Sequence, residues 1–168
     1  MNDLTQPITI DVVSDVMCPW CLIGKRRLEK ALAEREDVPI VVRWRPFQLD
    51  ATIPEEGMDR QEYLNRKFGG PEGAKNIYDR VRDAGVEEGI AFKFEDIKKS
   101  PNTINAHRLL RWADPMGVQN EMAERLFSLY FLEGGDLTDK DVLIDNAEKA
   151  GMEREVVETL LAGDADKE

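Results

Sequence analysis

The chain is predicted to fold as an α/β protein, with a βαβ unit at its amino end followed by a long helical block. Three observations carry this expectation. Two β-branched runs, Ile8 to Ser14 and Ile40 to Trp44, flank a stretch from Trp20 onward whose apolar residues recur at helical spacing. From Met58 to Leu161 the apolar residues again recur three and four positions apart, punctuated by Gly, Pro, Asn and Asp. With 168 residues, 42% hydrophobic and 34% charged, the composition suits one globular domain, or one domain with a subdomain.

Taken in order, Ile8 to Ser14 (ITIDVVS) reads as a buried strand. Asp15, Val16 and Met17 lead into Cys18-Pro19-Trp20-Cys21. The following helix, patterned by Cys21, Leu22, Leu28, Ala31 and Leu32, should stop near Arg35 to Asp37. The second run is closed by Pro46, and strand, helix, strand implies parallel pairing with a right-handed crossover. Asp50 to Gly57 is a turn-rich linker. Helices are expected over Asp59 to Phe68 and Pro71 to Gly89, with Gly85 weakening the last turn of the second. Ile90 to Phe94 reads as an extended connector. Asn102 to Asn105 offers N-cap residues for a helix through Trp112. Further helices are expected over Val118 to Leu132, Asp139 to Ala150 and Glu153 to Leu161. Phe127, Tyr130 and Phe131 belong to the core of this block. Two parallel strands do not make an independently stable sheet, so the sheet is expected to lack strands in this chain.

Acidic residues outnumber basic ones, 34 to 23, giving a net charge of −11. Such a surface repels phosphate backbones and anionic lipid, which argues against nucleic-acid and membrane partners. Met1 to Pro7 is short and polar, without a basic segment followed by an apolar one, so a cytoplasmic location is expected.

The chemistry centres on the only two cysteines. A disulfide scaffold needs more, and a zinc site needs further ligands, whereas the single histidine, His107, is distant in sequence, so no metal is expected. Structural burial of both thiols is the bland alternative. A CxxC between a strand and a helix reads as redox-active instead, because residues i and i+3 of a first helical turn share a face. Cys18 lies where unpaired N–H groups favour thiolate, and Pro19 suits the first helical position. Cys18, nearer the helix end and expected to be the more exposed, is therefore assigned as the attacking group, and Cys21, one turn in, as the resolving one. Trp20 could cover the sulfurs or contact a substrate, whereas Lys25 and Arg26 lie too far along the helix to activate the thiolate.

The segments Asp11 to Cys21, Ile23-Gly-Lys-Arg-Arg-Leu28, Arg43-Trp-Arg-Pro-Phe-Gln-Leu49, Pro101-Asn-Thr103, Ala106-His-Arg-Leu109 and Tyr130-Phe131 together resemble the FrnE-type, DsbA-like oxidoreductases. The resemblance spans nearly the whole chain. It implies a thioredoxin-like fold with a large α-helical insertion, and matches Cys18 and Cys21 to that family's redox pair. It divides the chain into residues 1–49 as the βαβ part, 50–162 as the insertion, and 163–168 as the start of the return. The family's returning loop with a cis-proline, its two C-terminal strands and its last helix are expected to be absent from this chain. Such a chain is expected to be less stable and poorer at disulfide exchange than one carrying them.

Implied partners are disulfide-containing proteins or low-molecular-weight thiols, with no cofactor beyond glutathione as a co-substrate. The 2-hydroxychromene-2-carboxylate isomerases and kappa-class glutathione transferases share this plan, and a glutathione-dependent isomerase or transferase is the alternative function. They use a serine near the position of Cys18, so the cysteine pair points away from them. Asn102, Thr103 and His107 could line a pocket beside the sulfurs, with Pro19 and Trp20 completing a substrate-binding set. His107 could equally be a hydrogen-bonded helix residue. A non-enzymatic binding module with an apolar groove around Trp20 is a third reading.

Overall fold

The computed structural model describes residues 6–167, so most of the polar segment Met1 to Pro7 lies outside the described residues. Strand β1 (Ile8–Ser14), helix α1 (Pro19–Ala33) and strand β2 (Ile40–Pro46) form the expected βαβ unit. The strands pair in parallel, from Ile8 opposite Ile40 to Ser14 opposite Pro46. Side chains alternate across a strand, and only one face of this sheet is covered. Val12, Val42 and Trp44 point into the core, while Val13 on the other face is 63% exposed. The expectation of a fully buried β1 is thereby corrected. The helices pack on one side only, leaving Asp11, paired with Arg45 at 3.0 Å, on the open side.

The outer edge of β2 is closed by a side chain. The Gln119 carbonyl accepts the Trp44 N–H at 2.8 Å, and its amide donates to the Trp44 carbonyl at 3.2 Å and to the Leu110 carbonyl at 2.9 Å. These bonds satisfy backbone groups that a neighbouring strand would otherwise take up. The Trp44 indole donates to Asn120 Oδ1 at 2.7 Å and packs edge-on against Phe127, 6.1 Å between centroids.

The helical block comprises α2 (Arg60–Phe68), α3 (Pro71–Glu87), α4 (Ile104–Ala113), α5 (Gln119–Phe131), α6 (Lys140–Lys149) and α7 (Arg154–Ala162). Asp59 and Asp139 cap α2 and α6, their carboxylates accepting first-turn N–H groups at 2.9 Å. Phe127, Tyr130 and Phe131 are buried as expected, with Phe92 and Phe94 packed edge-on against Phe131. Phe94 itself begins a 3-10 turn (Phe94–Asp96) rather than ending an extended segment. Gly85 has a packing role: a Cβ there would lie 2.5 Å from the Phe92 ring, so the glycine makes room for that ring against α3. Two two-residue strands, β3 (Met58–Asp59) and β4 (Lys99–Ser100), pair antiparallel and are too short to show any sequence periodicity. Among the described residues no helix is long and apolar enough to cross a membrane.

Helix α1 is held to α5 by charge. The buried Lys25 ammonium donates to Glu124 at 2.6 Å and also to Glu29, and Arg26 grips Glu124 with two N–H groups at 2.7 and 2.6 Å. Lys25 and Arg26 are thus committed to helix packing and leave the thiols alone. Arg26, and then Lys25, pull the Glu124 carboxyl down to about 2, against the opposing effect of burial. A carboxyl depressed in the folded state contributes stability above its ordinary titration range, and that stability is lost as pH falls from about 4.5 towards 2. Glu124→Gln is expected to cost about 1–2 kcal/mol at neutral pH, discounted for the partial exposure of the pair. It should also flatten the acid limb of the stability curve, measured by urea unfolding from pH 7 to 2.5. An unchanged acid limb would show that this network does not hold α1.

Candidate active site

The site lies at the carboxyl end of β1, where the chain turns into α1. Cys18 is the N-cap residue, with extended backbone angles (φ −93°, ψ 112°), and Pro19 occupies the first turn. No acidic side chain lies in that first turn, so none within α1 itself offsets the positive helix end beneath the sulfur. The Cys18 N–H donates to the Asp15 carbonyl and the Cys21 N–H to the Cys18 carbonyl, both at 3.0 Å. Both cysteines are free thiols, and both are half-buried. Exposure therefore does not separate their roles as the sequence reading expected.

Hydrogen bonding does separate them. The Cys21 thiol donates toward the Cys18 sulfur and, outweighing burial with help from the Cys21 and Trp20 N–H groups, brings the Cys18 thiol down to about 7. Cys21 is pushed the other way, well above the ordinary thiol range. Losing its proton would break the bond to Cys18 and place a second charge beside the first in a half-buried site. Iodoacetamide alkylation of Cys18 is accordingly expected to titrate near 7, with Cys21 unreactive across the neutral range. A first reactive thiol titrating at about 8.5, as a free cysteine does, would overturn the helix-terminus account.

Beneath the dithiol sits a group the sequence reading passed over. Asp15 is buried, and its carboxylate accepts the Leu49 N–H at 2.7 Å, the Met17 N–H at 3.4 Å and His107 Nε2–H at 3.2 Å. His107 Nε2 also faces the Phe47 carbonyl at 3.1 Å. Both partners are acceptors, so the ring proton belongs on Nε2, and the buried Nδ1 has no partner among the described residues. Asp15 thus ties the exits of β1 and β2 to α4, and its negative charge acts to raise both thiols. The only available signal was an ionisable residue set in an apolar run immediately before the CxxC. The partnership with the chain's one histidine, 92 residues away, is tertiary.

Of the remaining predicted residues, Trp20 is 47% exposed next to the sulfurs. Phe47 and Leu49, which flank the Asp15 contacts, are 52% and 44% exposed and add apolar surface that the sequence reading did not single out. Asn102 donates to the Ile53 carbonyl at 2.7 Å and accepts from Gln48 and the Ile104 N–H, so it staples the β2 exit to the start of α4. Thr103 is buried at the N-cap of α4 with no capping bond from its side chain. A cleft of about 290 Å³ is lined by His107 together with Phe47, Gln48 and Arg111. Neither sulfur lines it, nor do Pro19, Trp20, Asn102 or Thr103.

A CxxC opening the crossover helix of a parallel βαβ unit, with a helical block packed on one face, defines a thioredoxin-like α/β protein. The chain belongs to the DSBA-like thioredoxin domain family, whose profile matches residues 9–168. It is similar to the probable DsbA oxidoreductase SCO1869 of Streptomyces coelicolor, with a TM-score of 0.83 and 30% identity over 94% of this chain and 69% of that one. It is also similar to the Bacillus subtilis protein YwbO, 24% identical over 146 residues, covering 87% of this chain and 68% of YwbO. A 2-hydroxychromene-2-carboxylate isomerase shares the fold, with a TM-score of 0.62 and 15% identity over 94% of this chain and 73% of the isomerase. At 15% identity the likeness to the isomerase is one of fold alone.

Proposed function

We propose that the protein is a thiol–disulfide oxidoreductase acting on protein or small-molecule disulfides through Cys18 and Cys21. The observation that carries this reading is the pair of free thiols at the start of α1, Cys18 at its N-cap and Cys21 within its first turn, with the Cys18 thiol drawn down and Cys21 pushed up. In the reducing direction the Cys18 thiolate attacks one sulfur of a substrate disulfide. The S–S bond breaks, a mixed disulfide forms, and the second substrate sulfur leaves as thiolate and takes up a proton. Once Cys18 is in the mixed disulfide, its charge no longer holds the Cys21 proton in place. Cys21 then loses that proton and attacks the Cys18 sulfur, releasing the substrate dithiol and leaving a Cys18–Cys21 disulfide. The substrate gains two electrons and the enzyme loses two, and a thiol such as glutathione returns them. Trp20, Phe47 and Leu49 offer an apolar rim suited to a partly unfolded polypeptide.

The test is insulin reduction by dithiothreitol, followed by turbidity, alongside reduction of glutathione disulfide. Catalysis above the uncatalysed thiol reaction is expected. If the protein accelerates neither, the proposal fails. If a Cys18→Ser, Cys21→Ser double variant isomerises 2-hydroxychromene-2-carboxylate in the presence of glutathione, the isomerase alternative takes its place.

A further inference from the structure

The helical block carries a second concave site that the dithiol chemistry does not use. Arg60, the first residue of α2, is only 7% exposed and forms no ion pair within 4 Å among the described residues. The other buried cations are paired: Lys25 with Glu124 and Glu29, and Arg108 with Asp166. A buried guanidinium without a carboxylate is costly, and this chain has 34 acidic residues from which a partner could have come. Its internal support is partial. Nη1 donates to the Tyr130 hydroxyl at 2.9 Å, and the guanidinium lies 5.1 Å from the Tyr78 ring centre and 5.8 Å from that of Tyr130. Nη2 is buried with no partner among the described residues.

Arg60 lines a cleft of about 570 Å³, a size suited to a small organic ligand. Leu64, Tyr78, Phe94 and Ile97 supply its apolar wall. The carboxylates around it are engaged elsewhere: Asp59 caps α2, Asp79 pairs with Lys75 at 2.6 Å, and Glu95 pairs with Arg82 at 2.6 Å. Lys98, also lining the cleft, gives its ammonium only to the Glu95 backbone carbonyl. The cleft lining thus carries four cations, Arg60, Lys75, Arg82 and Lys98, against three carboxylates, a positive excess in a protein whose net charge is −11.

We propose that this cleft binds a small carboxylate with a flat apolar body, the carboxylate pairing with the Arg60 guanidinium and the body lying against Tyr78, Phe94, Leu64 and Ile97. A guanidinium matches a carboxylate in geometry as well as charge, and aromatic walls favour a planar body. An inorganic anion would satisfy Arg60 but leave the apolar wall wet.

The probe is sodium benzoate, titrated into the native protein at constant ionic strength, with benzamide and acetate as comparators. Binding is followed by calorimetry and by methyl NMR of Leu64 and Ile97. Benzoate should bind saturably, at least about tenfold more tightly than benzamide or acetate, and should shift those two methyl signals. Arg60→Lys keeps the charge but loses the fork, and should weaken benzoate at least about fivefold; Arg60→Met should remove the preference for benzoate over benzamide. Absence of binding, equal affinity for benzoate and benzamide, or shifts confined to methyls outside the cleft would overturn the proposal. The comparison of ligands on the native protein decides the matter even if Arg60→Met does not fold.

Discussion

Cys18→Ser is expected to lower disulfide turnover by on the order of 10³-fold or more, because it removes the attacking atom itself. Serine has no comparable anion near neutral pH, so the N–H groups of Trp20 and Cys21 would have no thiolate to stabilise. Cys21→Ser should differ in kind. Cys18 would still attack, but no second sulfur could release the substrate, so the protein should accumulate as a mixed disulfide visible by mass spectrometry under non-reducing conditions. In Cys21→Ala, which has no side-chain donor at that position, the Cys18 thiol should titrate higher than in the native protein. Full activity in Cys18→Ser, or no adduct in Cys21→Ser, would reverse the assignment of roles.

Asp15→Ala is expected to cost about 2–3 kcal/mol in denaturant unfolding, because it orphans the Leu49 and Met17 N–H groups and leaves His107 Nε2–H only the Phe47 carbonyl. Asp15→Asn separates charge from packing. It keeps one acceptor oxygen and places an NH₂ group where the carboxylate accepted a second donor, so its stability loss should be smaller but measurable. Its effect on the thiols is the sharper test. The carboxylate raises both cysteines through its charge, so the Asn variant should titrate Cys18 below its native value of about 7. Alkylation against pH would show this. An unmoved Cys18 profile in a folded Asp15→Asn protein would mean that the buried charge does not reach the sulfurs, and Asp15 would then be a staple between β1, β2 and α4 only.

These two predictions differ in how far they could be foreseen. The dithiol was legible because its signal is local: two cysteines three apart, a proline between them, a β-branched run before and helical spacing after. The helices were legible for the same reason, each carrying its own period and, at Asp59 and Asp139, its own cap. Asp15 was printed beside the motif, but nothing local distinguishes a buried acceptor of three bonds from an ordinary turn aspartate. The expectation that Cys18 is the more exposed thiol failed because exposure depends on packing from elements distant in the chain. The β3–β4 pair went unseen because four residues carry no period.

The sequence by itself determined the order of β1, α1 and β2, the placement of the dithiol at a helix start, and the helical character of the remainder. Those features follow from propensity, periodicity and capping within a few residues of one another. Only the tertiary structure decided which face of the sheet is covered, that Gln119 closes the edge of β2 at Trp44, that Lys25 and Arg26 hold Glu124 of α5, and that Arg60 is buried with no carboxylate pairing with it among the described residues. Each of these joins residues dozens of positions apart. The energy of a buried charge or a free backbone edge depends on what the fold sets against it, and no local pattern specifies that partner.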